Sequence, residues 1–269
     1  MNVLITGAAG GLGRAFVEEC VSKGDHVFAT DLREKELSHV VQGIYYRYGI
    51  EIPYHACDLT REEELHLLVQ KLGQSDFEVD ALFLVAGVDH EGGFLQKDFH
   101  QIQGIVELNI LATMRLTHAM LLRRNRDRYF SIMFISSLAA GQPIPLKATY
   151  AASKRFLLDF SRAIREELRE EQVRVLTVCP AGLATNDEVI KAIMGQGFFG
   201  SLTTCNIESV VKNSRHLLLH SNRAVYIPGR MNQWIHRIQR LIPLEWTMRI
   251  LHHRWKKAQS TWLHPKKER

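Results

Sequence analysis

The segment Tyr150-Ala151-Ala152-Ser153-Lys154 sets a phenol and an amine four residues apart, and Ser137 lies thirteen residues ahead of the tyrosine. On a helix, residues four apart share a face, one turn from each other. A phenol can give a proton to a carbonyl oxygen or take one back, but its ordinary pKa of about 10 is high for cycling at neutral pH. An ammonium beside it stabilises phenolate and lowers that value. The Ser137 hydroxyl can hydrogen-bond the same substrate oxygen. The amide of Asn109, in Leu108-Asn109-Ile110, can hold a water that links Lys154 to solvent. Taken singly, each has an ordinary explanation: a surface helix pair, a strand end, a satisfied buried amide.

A second pattern, at the start of the chain, changes their weight. Thr6-Gly7-Ala8-Ala9-Gly10-Gly11-Leu12-Gly13 follows the apolar run Val3-Leu4-Ile5. At a strand-to-helix junction Gly7 permits a tight turn, Gly11 lets backbone approach phosphates, and Gly13 lets helix pack close to strand. The helix N-terminus then offers free N–H groups to a pyrophosphate. Asp31, eighteen residues after Gly13, ends the second apolar run. A carboxylate there can accept from both adenosine ribose hydroxyls and repels a 2′-phosphate, which favours NAD over NADP. Arg33 and Arg14 argue the other way, since an arginine can pair with that phosphate. Asp58, in Cys57-Asp58-Leu59-Thr60, can accept from the adenine amino group or cap the helix that follows, and the two readings stand level. A dinucleotide cradle and a proton-relay pair in one chain describe hydride transfer to or from a carbonyl.

The elements that must position these groups follow from periodicity. Short β-rich runs at Asn2–Thr6, His26–Thr30, Glu51–Ala56, Ala81–Val85, Phe130–Ile135, Arg174–Val178 and Ala224–Ile227 alternate with helix-period segments at Leu12–Lys23, Glu34–Tyr48, Arg61–Leu72, Ile102–Arg124, Tyr150–Glu170 and Ile207–Leu219. That alternation predicts an α/β fold with a doubly wound parallel sheet, the Rossmann arrangement. We read residues 1–229 as one such domain and 230–269 as a helical extension. Thr185–Cys205 lacks a period, carries three glycines and Phe198-Phe199, and follows a strand end, so it is expected to act as a substrate lid.

Composition excludes several classes. The four cysteines are scattered with no Cys-x-x-Cys pair, so no disulfide framework or metal site is expected. No apolar stretch approaches the ~20 residues needed to span a bilayer. With the first strand beginning at about Asn2 there is no room for a leader, and the expected location is cytoplasmic. The net charge of +5 is uneven: residues 230–269 hold ten Lys/Arg against Glu245 and Glu268, which leaves residues 1–229 at −3. In that extension Trp234, Ile235, Ile238, Leu241 and Ile242 form an apolar stripe, and Trp246, Met248, Ile250, Leu251 and Trp255 repeat the style. The stripe is expected to pack on the body, walling the pocket or an oligomer interface. Peripheral membrane contact is the alternative. Nucleic acid is not an expected partner, because the basic residues form no recognisable module.

These residues together resemble the short-chain dehydrogenase/reductase family, of the single-domain type, over roughly Asn2 to Gly229. The resemblance rests on Thr6–Gly13, Asp58, Asn109, Ser136-Ser137, Tyr150–Lys154 and Pro180-Ala181-Gly182-Leu183-Ala184-Thr185. It implies a catalytic tetrad of Asn109, Ser137, Tyr150 and Lys154 acting on a small alcohol or carbonyl substrate, with Lys154 also bonding the nicotinamide ribose. It implies a cofactor held by Gly7, Ala9, Gly11, Leu12 and Gly13, then by Asp31, Asp58, Leu59, Ala86 and Gly87, and beyond them by Tyr150, Lys154, Pro180, Leu183 and Thr185. It further implies a homodimer or homotetramer built through the helices at 102–124 and 150–170. Two departures stand out. Leu84-Val85-Ala86-Gly87 replaces the family's usual Asn-Asn-Ala-Gly, and Pro180-Ala181 replaces Pro-Gly. Neither removes a group with chemistry.

Overall fold

The computed structural model describes residues 1–75, 77–183, 204–238 and 242–263, with side chains as far as 253. The strands are β1 (Asn2–Thr6), β2 (His26–Asp31), β3 (Tyr54–Ala56), β4 (Ala81–Leu84), β5 (Phe130–Ile135), β6 (Val173–Val178) and β7 (Val225–Tyr226). They form one parallel seven-stranded sheet in the order β3-β2-β1-β4-β5-β6-β7. The expected doubly wound sheet is the one observed. Strand order reverses direction between β1 and β4, and the crevice outside their carboxyl ends is where such sheets bind ligands.

Side chains alternate across the sheet, and that alternation builds two cores. Val3 and Ile5 of β1 join Phe83, Met133 and Ile135 on one face, under α1 (Gly11–Ser22), α2 (Glu34–Tyr48) and α7 (Ile207–His220). Leu4 joins Leu82, Leu84, Ile132 and Phe134 on the other, under α3 (Glu62–Gln74), α5 (Thr113–Arg123) and α6 (Ala148–Glu167). Phe16 of α1 meets Phe83 edge-to-face at 5.5 Å, and both are fully buried. Burying one such ring contributes about 1.5–3 kcal/mol.

Among the boundaries that differ from expectation, two have an identifiable reason. β3 starts at Tyr54, because Pro53 has no N–H for the ladder, although its carbonyl accepts from Ala29 N at 3.0 Å. The long helix opens earlier, as α4 (Phe99–Val106), because the Asp98 carboxylate accepts from His100 N at 2.9 Å and caps it. Between α4 and α5 the helix widens to π geometry over Glu107–Ala112. By length and hydropathy the run Phe99–Arg123 is apolar enough to cross a membrane. In the fold, however, Ile102, Ile105, Leu116 and Met120 are buried.

The extension forms α8 (Arg230–Ile238) and α9 (Leu244–Leu263). Here the expected inward stripe is met only in part. Ile235, Ile238, Met248 and Leu251 are half-buried, but Trp234 is 60 % exposed, Trp246 65 % and Ile250 58 %, and the fully buried residues are Asn232 and Thr247. The reason is polar docking. Asn232 Nδ2 donates to Pro228 O at 2.9 Å and Gln233 Nε2 to Ile227 O at 2.9 Å. Those bonds fix the opposite face of α8 against the chain and leave its tryptophan outside.

Candidate active site

The glycine loop leaves β1 in a conformation only glycine adopts easily. Gly7 has φ +66°, and a Cβ there would lie 2.8 Å from the Ala86 backbone. A Cβ on Gly13 would lie 2.0 Å from Gly7 O, so the helix and the turn touch backbone to backbone. Gly11 and Leu12 open α1, whose first turn has no side-chain cap and no acidic residue. Its N–H groups and positive dipole end therefore face the crevice uncompensated by this helix's own side chains, as an anion site requires. Ala9 sits in the loop, its N–H donating to Asp31 Oδ2 at 3.0 Å.

That bond ties the cradle to the end of β2. Asp31 is 6 % exposed and also accepts from Arg33 N at 3.0 Å and Arg33 Nε at 3.1 Å. The Arg33 side chain is half exposed and its pKa is raised, chiefly by the hydrogen bond to Asp31. Asp58 Oδ1 accepts from Thr60 N at 3.0 Å and Thr60 Oγ1 at 2.7 Å, which is a turn lock ahead of α3. Leu59 beside it is buried. Neither Asp58 nor Thr60 caps α3, whose N-cap is Arg61 with no side-chain cap bond; the Asp58 carboxylate holds the turn ahead of it.

The loop after β4 lacks the family's asparagines, and Thr6 performs the holding. Val85 N and Ala86 N both donate to Thr6 Oγ1 at 3.1 Å. The next residue, Gly87, is squeezed between two of the predicted groups. A Cβ there would stand 3.0 Å from Lys154 Nζ and 3.1 Å from Asn109 Oδ1. Sequence reasoning quoted Thr6 only as the first residue of a motif; a threonine at a β1 carboxyl end beside a loop without asparagines was the available signal.

Ser137 follows β5 in extended backbone, and its Oγ accepts from Ala139 N at 3.1 Å. Leu138 N donates to Pro180 O at 2.8 Å, which joins the Ser137 turn to the end of β6. Tyr150 and Lys154 both lie on α6. The Ser137 hydroxyl acts on the Tyr150 phenol to lower its pKa. Lys154 Nζ stands 5.7 Å from the tyrosine ring centroid and donates to Ile135 O at 3.0 Å. Ser136 Oγ donates to Lys154 O at 2.7 Å, which ties the end of β5 to α6 at the lysine.

The charge states differ from the simple expectation. Burial pushes the Tyr150 phenol above its ordinary value, the Asp89 carboxylate adds to that, and Lys147 and the Ser137 hydrogen bond act against it. Burial brings the Lys154 ammonium down to about 8, opposed by Asp89. Lys147, 5.5 Å from the Tyr150 ring centroid, is a second cation beside the phenol, and sequence reasoning missed it. Its only advance signal was a lysine three residues before the tyrosine.

Asn109 sits in the π segment, fully buried. Its Oδ1 accepts from Val88 N at 2.9 Å, and its Nδ2 donates to Val88 O and Ser153 Oγ, each at 3.0 Å. The expected water-holding amide is thus engaged with protein, and its visible work is to fix the loop that carries Gly87. Leu183 is buried and bridges to Cys205, whose N–H donates to Gly182 O at 3.0 Å. Thr185 and nearly all of the expected lid, residues 185–203, lie outside the described residues. Among the described residues no cluster of three metal-ligating side chains occurs.

The glycine loop, the Asp31 carboxylate and the tyrosine–lysine pair fit a dinucleotide. Its pyrophosphate belongs at the α1 N-terminus, its ribose near Asp31 and its reactive ring near Tyr150 and Lys154.

Comparison with known proteins agrees. The profile of short chain dehydrogenases matches residues 1–191. A very-long-chain 3-oxoacyl-CoA reductase of Laccaria bicolor is 30 % identical over 176 residues, which are 64 % of this chain and 52 % of that protein. An inactive hydroxysteroid dehydrogenase-like protein 1 of Homo sapiens is 28 % identical over 185 residues, covering 68 % and 56 %. The chain spans about half the length of these curated relatives. Among solved structures, a bulky-bulky ketone specific alcohol dehydrogenase of Comamonas testosteroni superposes with a TM-score of 0.73 at 24 % identity, over 89 % of this chain and 92 % of that one. That likeness speaks for the fold. With the profile covering most of its length and the glycine loop, strand order and Tyr-x-x-x-Lys helix in place, the chain belongs to the short-chain dehydrogenase family.

Proposed function

We propose that the chain is an NAD(P)-dependent oxidoreductase of a secondary alcohol or ketone, with NAD preferred. The observation that carries it is the Tyr150–Lys154 pair on one helix, with the Lys154 ammonium 5.7 Å from the tyrosine ring, beside a glycine cradle. A bound nicotinamide supplies or accepts the hydride. Ser137 and Tyr150 bind the carbonyl oxygen and orient it. Tyr150 gives that oxygen its proton on reduction and takes it back on oxidation. Lys154, anchored on Ile135 O, holds positive charge beside the phenol and fixes its position. Asn109 keeps the Gly87 loop in register with the lysine.

NAD preference rests on Asp31, whose carboxylate ends β2 beside the glycine loop. A second reading, an NADP-dependent reductase of an acyl or keto lipid, draws on Arg33 paired to that carboxylate and on the 3-oxoacyl-CoA reductase among the relatives. A third, a non-catalytic dinucleotide-binding scaffold, is opposed by the retained Tyr150 and Lys154. Fluorescence titration with NADH and NADPH in parallel separates them. Tighter NADH supports the first reading and tighter NADPH the second. No binding of either at micromolar levels sinks the oxidoreductase.

For partners, we infer a homo-oligomer through the helices at 102–124 and 150–170, supported by the exposed Leu122 and read by light scattering. Exposed Trp234 and Trp246 beside Arg237 and Arg249 support peripheral contact with an anionic membrane surface, read by vesicle sedimentation. A cytoplasmic location accords with Cys20, Cys57 and Cys179, buried thiols that form no disulfide among the described residues.

A further inference from the structure

Four residues before Tyr150 the chain is held in an unusual way. Leu146 has φ +68°, a left-handed conformation that a bulky side chain rarely adopts. Its carbonyl accepts from Gly92 N at 3.1 Å and from Lys97 Nζ at 3.5 Å, so the loop after β4 grips the entry to α6. The strain has a local consequence: it delivers Lys147 between two carboxylates of that same loop. Lys147 Nζ is 2.6 Å from Asp89 Oδ2 and 2.5 Å from Glu91 Oε1, and it lies 5.5 Å from the Tyr150 ring centroid. The Lys147 and Asp89 side chains are 12 % and 24 % exposed, so solvent screens them little. Asp89 Oδ1 is buried and, among the described residues, has no hydrogen-bond partner.

We propose that Lys147, clamped by Asp89 and Glu91 against Tyr150, is a positioning residue that sets the acidity of the catalytic phenol. The proposal rests on the reading of Tyr150 as the acid/base. Charge geometry gives the three residues opposite signs of action. Asp89 and Glu91 push the phenol toward its protonated form, and Lys147 pushes it toward phenolate. Burial alone would lower the Lys147 ammonium, but Asp89 and Glu91 outweigh it and raise its pKa, so it stays charged while the phenol titrates. The other groups facing this site from the packed elements are Ser137, which lowers the phenol, Lys154 across the ring, Cys179 beside Lys154, and Lys97, which senses Asp89, Lys147 and Glu91. Removal of one carboxylate from the clamp therefore makes the phenol more acidic, and removal of the lysine makes it less so. A residue that merely braced the loop would not yield opposite signs.

The test reads the phenol directly and needs no substrate. The full-length protein is labelled with 13Cζ-tyrosine, and the Tyr150 resonance among the seven tyrosines is assigned by its loss in Tyr150→Phe. The phenolate fraction of Tyr150 is then compared at about pH 10, near the ordinary tyrosine midpoint. Asp89→Asn is expected to raise that fraction, moving the midpoint down by on the order of one pH unit. Glu91→Gln moves it the same way by less. Lys147→Met lowers the fraction, and Lys147→Arg restores it. Equal fractions in all variants, or shifts of one sign for Asp89→Asn and Lys147→Met, overturn the proposal. If Lys147→Met does not fold, the Asp89→Asn shift decides alone, because loss of a carboxylate with no gain in acidity is enough to sink it. Failure to find turnover on any carbonyl would count against the oxidoreductase reading and leave this answer standing.

Discussion

Asn109 closes a two-point clamp on Val88: its Oδ1 accepts from Val88 N at 2.9 Å and its Nδ2 donates to Val88 O at 3.0 Å. One side chain thus satisfies both backbone groups of one residue in the loop that carries Gly87. The π turn at Glu107–Ala112 presents it there. Such widened turns concentrate at functional sites. Replacing Asn109 with Leu strands both backbone groups and the Ser153 hydroxyl. Each buried polar group left unmet costs about 1–3 kcal/mol. A thermal denaturation curve shifted down by several degrees is expected, together with weaker cofactor binding. An unchanged melting temperature would remove the clamp from the account.

Thr6 does for Val85 and Ala86 what Asn109 does for Val88. Thr6→Val keeps shape and deletes the acceptor of two N–H bonds, so a loss of about 2–4 kcal/mol is expected. Thr6→Ser, which keeps the oxygen, is expected to retain most of the stability. Chemical denaturation of the two variants side by side checks this. A loss in Thr6→Ser as large as, or larger than, that in Thr6→Val would contradict the latch.

Lys154 links stability to pH in a direction that can be worked out. Burial brings its pKa down to about 8, from 10.5 in the unfolded chain. Below pH 8 both states carry the charge, and the folded state bears the full cost of burying it, about 3 kcal/mol. Between about 8 and 10.5 the unfolded state binds more protons, so stability rises with pH through that window. Lys154→Met removes the cost. The variant is expected to be more stable than wild type at pH 7, with the gap closing by pH 10, while turnover is lost. Melting curves across that range read the gap; a variant destabilised at every pH would show that the Ile135 hydrogen bond outweighs the burial.

Asp31 is expected to discriminate between the dinucleotides. Asp31→Ala frees Arg33 from its ion pair and removes the charge that opposes a 2′-phosphate. The ratio of NADPH to NADH affinity should rise by tenfold or more, which is about 1.4 kcal/mol. Parallel titrations measure it. A ratio that falls would give the discriminating role to another residue.

Much of this arrangement was legible in the chain because the groups that define it sit at element ends. Gly7, Gly11 and Gly13 mark a strand-to-helix junction, Asp31 ends a strand, and Tyr150 and Lys154 share a helix face. These are local patterns, and β1, β5 and α2 fell at their expected bounds. What sequence did not show depends on contacts between distant segments. The Lys147 clamp joins residues 58 positions apart, and the Thr6 latch joins residues about 80 apart. The π turn leaves no compositional mark. In the extension, periodicity identified the apolar stripe but not which way it faces, because polar bonds from Asn232 and Gln233 decide that.

The central claim is that Tyr150 moves the proton in a carbonyl–alcohol interconversion and has little part in holding the dinucleotide. The most direct measurement is turnover of a panel of secondary alcohols and ketones by wild type and Tyr150→Phe, with NADH affinity measured on the same preparations. The account predicts that kcat falls by at least a hundredfold in the variant, the scale of general acid catalysis, while NADH affinity stays within a few-fold. Wild-type-like turnover in Tyr150→Phe would contradict it.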